Sequence, residues 1–318
     1  MAILRYENMT HTDLSGLQRD KTAVFLCAGP LEQHGPHLPL GTDAMTAEFF
    51  SAQMAERLAV NHSEWNFVLF PVYFAGSDTL TYTGTVEVKP ATLRALLMDC
   101  CKQLARDGFR NIVLFGTHGG PRHMVVLEEV AEKMRWRYRT RAVSASARIL
   151  HEVMKGGIIE RIAERLEKAG GALSAPEREG LKNDYHGGLL ETSVMMIAKP
   201  ELVRPVFKTL QPAIVDRYWK LRRNSGKKVG DGLGHLGTPA LARPEIGKAA
   251  VDILLDDTAP LLEKFLAGEN VNKKFRSKFY FVPFFRTDFK VLMMLILYPI
   301  VIFITWIFLN RTLVGMLK

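Results

Sequence analysis

Between residues 22 and 150 the apolar and polar positions switch repeatedly between two periods. "TAVFLCAG" is a short apolar run that ends on glycine, the pattern of a buried strand. "DAMTAEFFSAQMAERLAV" follows at helical spacing, with Asp43 placed to cap its start. "WNFVLFPVYF" gives a second strand. "KPATLRALLMDCCKQLARDGF" then gives an amphipathic helix, with Pro90 near its start and Gly108 after its end. "NIVLFGTHGG" is a third strand running into a glycine turn, "RHMVVLEEVAEKMRWRY" the next helix, and "RTRAVSASARIL" a further strand. This strand–helix rhythm predicts an α/β fold of three layers, α/β/α, around a mainly parallel central sheet.

Two stretches depart from the rhythm. Residues 151–183 contain "GGIIERIAERLEKAGGALSAPEREGLKND", charged, helical and bounded by paired glycines, which reads as a helical insertion over one edge of the sheet. The other is "VLMMLILYPIVIFITWIFL", residues 291–309, the longest apolar run in the chain. As a helix it would measure roughly 28 Å, close to the thickness of a bilayer's hydrocarbon core. The expectation is a body over 1–270, a basic juxtamembrane linker over 271–290 and one C-terminal transmembrane helix over 291–309. The excess of basic residues before the run would hold the body on the cytoplasmic side of the membrane, and the start of the chain shows no signal-peptide pattern.

Charge changes the picture only once it is located. The net charge is +9 over 318 residues, but the segment from Asn272 to Lys318 carries +7 of it, leaving +2 for the body. A nearly neutral body gives no reason to invoke nucleic acid, and the basic tail points to whatever it touches, anionic lipid among the candidates. Three cysteines, two of them adjacent (Cys100 and Cys101), are too few for a disulfide framework.

The candidate chemistry sits after the strands, where ligands bind in open α/β sheets. "GPLEQHGPHLPLGTD", residues 29–43, follows the first strand and "GTHGG" follows the third, so Glu32, His34, His37, Asp43 and His118 should share one edge. "NDYHGGLLETS" adds His186 and Glu191. Imidazoles and carboxylates without a thiolate suit Zn²⁺, Mn²⁺ or Fe²⁺. Glu-x-His in an extended segment puts both side chains on one face, and an aspartate can bridge two metals.

At this point the sequence resembles the creatininase family, the creatinine amidohydrolase-like metal-dependent amidohydrolases. The resemblance rests on "GPLEQHGPHLPLGTD", "GFRNIVLFGTHGG", "YHGGLLETSVMMIAKPELVR" and "GHLGTPALARPEIGKAA", which cover roughly residues 15 to 265 in the family's order. It implies a three-layer fold, two divalent metal ions, and a homo-oligomer, commonly a hexameric ring. By position it implies that Glu32, His34, Asp43, His118 and Glu191 are the metal ligands, with Asp43 as the bridge. His186 takes the place of the family's proton-transfer histidine. Gly119 and Gly120 would offer backbone N–H groups to an oxyanion, and Tyr185, beside the third motif, is a candidate substrate-binding residue that could recognise a carboxylate or phosphate. The sequence departs from the family at Pro121, where an asparagine is common, and at "GSDTLTYTGT", which keeps Gly84 and Thr85 but lacks the family's histidine.

The expected function is hydrolysis of a non-peptide or cyclic C–N amide bond in a small molecule. The sequence holds no G-x-S-x-G for a serine hydrolase and no P-loop spacing. A metallopeptidase on the same fold stays open, as does a membrane-tethered, non-catalytic ligand-binding or scaffold protein. Arg122 and Arg148 flank the motifs and could recognise an anionic group.

Overall fold

The strand Thr22–Gly29 (β2) is buried at every residue and lies at the centre of the sheet. The computed structural model describes residues 3–147, 150, 153 and 156–316; the side chains of 290–292 and 308–316 lie outside the described residues. Around β2 are Ile3–Arg5 (β1), Asn66–Leu69 (β3), Tyr73–Phe74 (β4), Asn111–Phe115 (β5) and Arg141–Ser144 (β6). Their order is β1-β3-β2-β5-β6, with β4 pairing the end of β2, and every pairing is parallel. Val24 sits in register with Val68 on one side and Ile112 on the other.

The crossover helices are His11–Gly16 (α1), Thr42–Asn61 (α2), Pro90–Arg106 (α3) and Pro121–Tyr138 (α4). They are followed by Ile159–Lys168 (α5), Ala175–Lys182 (α6), Leu189–Ala198 (α7), Pro244–Leu266 (α8) and Phe289–Met316 (α9). Because strand side chains alternate, β2 feeds both layers. Ala23, Phe25 and Cys27 pack with Phe50 and Met54 of α2 and Val251 and Leu262 of α8. Val24, Leu26 and Ala28 pack with Leu93 and Leu97 of α3 and Val126 and Val130 of α4. The mainly parallel sheet between two helical layers is the architecture that the sequence pattern predicts.

The segment expected as a helical insertion packs on the body. Ile159, Ile162 and Leu166 of α5 and Leu181 of α6 are buried against Leu189, Ile246 and Ile253. Ser174 and Glu177 form a capping box at the start of α6, and Glu177 also accepts from Arg243 Nε at 2.6 Å. Residues 151, 152, 154 and 155, where the insertion begins, lie outside the described residues.

The expected transmembrane helix is corrected. Among the described residues no helix is long and apolar enough to cross a membrane. The 291–309 run is part of α9, but its described side chains cover only 293–307, about 22 Å of helix. The membrane localisation and the cytoplasmic placement of the body rested on that span and fall with it. The segment expected as a juxtamembrane connector packs on the body instead. Phe275 is buried in the core, the Ser277 N–H and Oγ donate to buried Glu128, and the Thr287 N–H and Oγ1 donate to buried Glu129. Tyr280 donates to Glu132, and Arg276 pairs with Glu132 at 2.9 Å. Part of the tail's positive charge is therefore matched by carboxylates of α4.

Candidate metal centre

β2 and β5 end side by side, and the loops leaving them carry the first ligands. The β2 loop is extended and closed on itself: the Glu32 N–H donates to the Leu40 carbonyl at 2.8 Å, and the Val86 N–H donates to Leu31 at 2.8 Å. The β5 loop is tied to α2 because Thr117 Oγ1 donates to the Asp43 carbonyl at 2.7 Å. Gly120 sits where a Cβ would meet His118 Nε2 at 2.5 Å and the Asp78 carbonyl at 2.8 Å, so this turn has no room for a side chain.

The histidines are oriented by backbone carbonyls. His34 Nδ1 lies 2.9 Å from the Glu32 carbonyl, and His118 Nε2 lies 3.1 Å from the Ser77 carbonyl. With one ring nitrogen of each set against a carbonyl, the other faces the carboxylates. His34 Nε2 is 3.6 Å from Asp43 Oδ1 and 3.7 Å from Glu191 Oε2. His118 Nδ1 is 3.2 Å from Glu32 Oε2 and 3.3 Å from Asp43 Oδ2. Asp43 thus spends one oxygen on each histidine.

The third loop brings His186 and Glu191. His186 pairs with Leu236 through the backbone, its N–H donating at 3.1 Å, and its ring stacks on His34 at 4.0 Å between centroids. His186 Nε2 donates to the Gln33 carbonyl, which leaves Nδ1 without a proton. Glu191 accepts the Gly187 N–H, and Gly187 has a positive φ of 55°. A Cβ there would meet the His34 carbonyl at 2.5 Å, so the two loops touch backbone to backbone.

The electrostatics follow from burial and proximity. Burial alone would lower both histidines, but Asp43 with Glu191 raises His34 to about 10, and Asp43 with Glu32 raises His118 to about 9. Burial would raise Asp43, yet the two imidazoles outweigh it and hold it well below the usual carboxylate range. Glu32 is pushed up to about 7 by burial, with His118 opposing. Burial and the His34 charge keep His186 well below its ordinary value.

Two groups of potential ligands result, His34 with His186 and Glu191, and Glu32 with Asp43 and His118. Within them Glu32 Oε2, His34 Nε2 and Asp43 Oδ2 are buried and lack a hydrogen-bond partner. Buried polar atoms are normally satisfied, and three such atoms converging on one place fit a divalent cation. Gly119, Gly120 and Tyr185 line the same cleft, about 450 Å³, with Glu32, His118, His186 and Glu191.

His37 does not join this centre. Gly35, at φ 81°, turns the chain after His34, and His37 Nε2 meets Thr192 Oγ1 at 2.9 Å instead. Burial, His235 and His34 lower it to about 3, a neutral structural histidine. Arg122 stacks on Phe284 at 4.6 Å, and Arg148 lies outside the described residues. Three supporting groups escaped the sequence reading: Gln33, which anchors His186; the loop at 77–80, whose Ser77 carbonyl and Leu80 N–H hold His118 and Glu32; and Asp184, which accepts the Leu189 and Leu190 N–H groups ahead of Glu191. All three act on or through the backbone, which residue type does not reveal.

Residues 7–262 match the family profile described as "Creatininase: Creatinine amidohydrolase". A curated relative, the mycofactocin precursor peptide peptidase of Mycobacterium ulcerans (strain Agy99), is 25% identical over 252 residues, covering 77% of this chain and 86% of its own. The fold resembles that of a putative creatinine amidohydrolase from Bacteroides fragilis NCTC 9343, with a TM-score of 0.60 and 21% identity over 83% of this chain and 96% of that one. A solved structure described as "Creatininase Mn" gives 0.56 at 18% identity, over 87% of this chain and 100% of that one. A creatininase variant of Zn-Zn type gives 0.58 at 19%, with the same coverage. With the profile spanning most of its length and the four motifs meeting at one centre, the chain belongs to the creatininase family of hydrolases.

Proposed function

We propose that the protein is a metal-dependent amidohydrolase that cleaves a C–N amide bond at a centre of two divalent ions. The observation that carries the reading is the pair of ligand groups with Asp43 between them, which hold three buried side-chain atoms without a hydrogen-bond partner. Glu32, His34, Asp43, His118 and Glu191 would hold the ions, Zn²⁺ or Mn²⁺ by likeness to the solved relatives and Fe²⁺ by donor chemistry. Divalent ions in such a site supply a water acidified toward neutral pH and a Lewis acid for a carbonyl oxygen.

The remaining work falls to the chain. His186, with Nε2–H fixed on the Gln33 carbonyl, has Nδ1 free to take a proton and return it to the leaving nitrogen. Gly119 and Gly120 line the cleft, and their N–H groups would stabilise an oxyanion. Tyr185 borders the substrate. The hexameric ring implied by the family belongs to the same reading, and so does a hydrolase unit that takes in the 151–183 insertion.

The bond need not be non-peptide. The relative that covers 77% of this chain is described as a peptide peptidase, and that favours a peptide amide as a second reading of the same centre. The test is turnover. The metal-loaded full chain is incubated with creatinine, with linear amides and with short blocked peptides, and products are followed by mass spectrometry. Hydrolysis of any class that disappears in His186→Ala supports the reading. Absence of hydrolysis from a protein that holds its metals contradicts it.

A further inference from the structure

The match to the family ends at residue 262, yet the cleft does not. Phe279 and Phe285, both beyond that point, line the cavity that contains Glu32, His118, His186 and Glu191. They continue an aromatic row that begins beside the proton-transfer histidine. Tyr185 is 6.1 Å from Tyr218, Tyr218 is 6.3 Å from Phe279, and Phe279 is 5.5 Å from Phe285, ring centroid to centroid.

The strap that carries these rings is anchored on both sides of them. Ser277 is bonded to Glu128, Tyr280 to Glu132 and Thr287 to Glu129, all on α4. Arg276 covers Tyr280 at 4.0 Å and Arg286 reaches Glu129 at 3.7 Å. Buried carboxylates are costly without partners, and the strap supplies them to Glu128 and Glu129. Phe279 and Phe285 are thereby fixed before any ligand arrives, which lowers the ordering cost of binding. Among the described residues that line the cleft, the guanidiniums of Arg222 and Arg223 are already engaged. Arg223 pairs with Glu87, and Arg222 donates to the Trp219 and Leu221 carbonyls at 2.8 Å. Among the described residues the cleft therefore offers ring faces and edges rather than a free cation.

We propose that the strap 276–287 is the outer wall of the substrate site and makes this enzyme selective for amide substrates, peptides among them, that carry an aromatic side chain near the scissile bond. This rests on the hydrolase reading above. Rings at these spacings accept another ring in offset or edge-to-face contact, and a cavity of about 450 Å³ suits a ligand larger than a single small cyclic amide.

The experiment uses the full chain loaded with Zn²⁺ and four probes, acetyl-Gly-X-Gly-amide with X as Ala, Leu, Phe or Trp. Affinity is measured by calorimetry and cleavage by mass spectrometry. The expected result is binding of the Phe and Trp probes at least tenfold tighter than the Ala probe. In Phe279→Ala/Phe285→Ala the ratio should fall below threefold at unchanged metal content. Phe279→Leu/Phe285→Leu keeps the volume and the docked strap and should lose the preference for Phe over Leu. Equal affinities in the parent, or a preference that survives in both variants, overturns the proposal whether or not a probe is cleaved. Selective binding without cleavage supports it while counting against the hydrolase reading, so the two failures are distinct.

Discussion

Replacing Glu128 with Gln should make the protein more stable at alkaline pH and leave it little changed at acidic pH. Glu128 lies on the buried side of α4 and accepts from Ser277 through its backbone N–H and, at 3.0 Å, its hydroxyl. Burial pushes its carboxyl from 4.5 to about 8, against the lowering effect of Ser277 and Arg276, while the neighbouring Glu129 pushes the same way as burial. A carboxyl raised on folding binds its proton more tightly in the native state, so stability falls as pH rises from about 4.5 to about 8. At 1.36 kcal/mol per unit the full window amounts to about 3–5 kcal/mol. Gln mimics the protonated form and removes that slope. Urea denaturation of both proteins at equal metal loading, at pH 5 and at pH 8.5, is the assay. Near-equal stability at pH 5 and a gain of about 3 kcal/mol for Glu128→Gln at pH 8.5 is expected. Asp184 and Glu32, each also raised to about 7, add slopes common to both proteins and cancel in the difference. A parent no less stable at pH 8.5 relative to the variant than at pH 5 would refute the reasoning.

Gly120→Ala places a methyl on His118 and on the Asp78 carbonyl; a loss of about 1–3 kcal/mol in thermal unfolding, with turnover falling further than stability, is the expected outcome. Asp184→Ala removes the acceptor for the Leu189 and Leu190 N–H groups. It should cost about 0.5–2 kcal/mol and weaken metal binding through Glu191, seen as a lower midpoint in a chelator titration.

The layered fold could be read because its strands carry the information locally. All eight positions of β2 are apolar or small and all eight are buried. β1 could not be read that way, since three residues, Ile3–Arg5, show no period and gain their place through long-range contacts, chiefly the pairing with β3. The apolar run at 291–309 showed the opposite failure, because local hydropathy spoke for a membrane where the structure offers no qualifying span among its described residues. At the site, Glu32, His34 and Asp43 stood out through a loop stiffened by proline and glycine. His37 looked equivalent, and only the turn at Gly35 sends its ring to Thr192. The latch between Glu128 and Ser277 joins residues 149 apart in sequence, and neither carries a local sign of the other.

The central claim, a binuclear centre built by Glu32, His34, Asp43, His118 and Glu191 with His186 beside it, is tested most directly by counting metal. The full chain, His34→Ala and His186→Ala would be purified, reconstituted with Zn²⁺ or Mn²⁺, desalted and analysed by inductively coupled plasma mass spectrometry. The account predicts about two ions per chain in the parent, a clear loss in His34→Ala, and retained metal without turnover in His186→Ala. No tightly held metal in the parent, or full occupancy in His34→Ala, would contradict it.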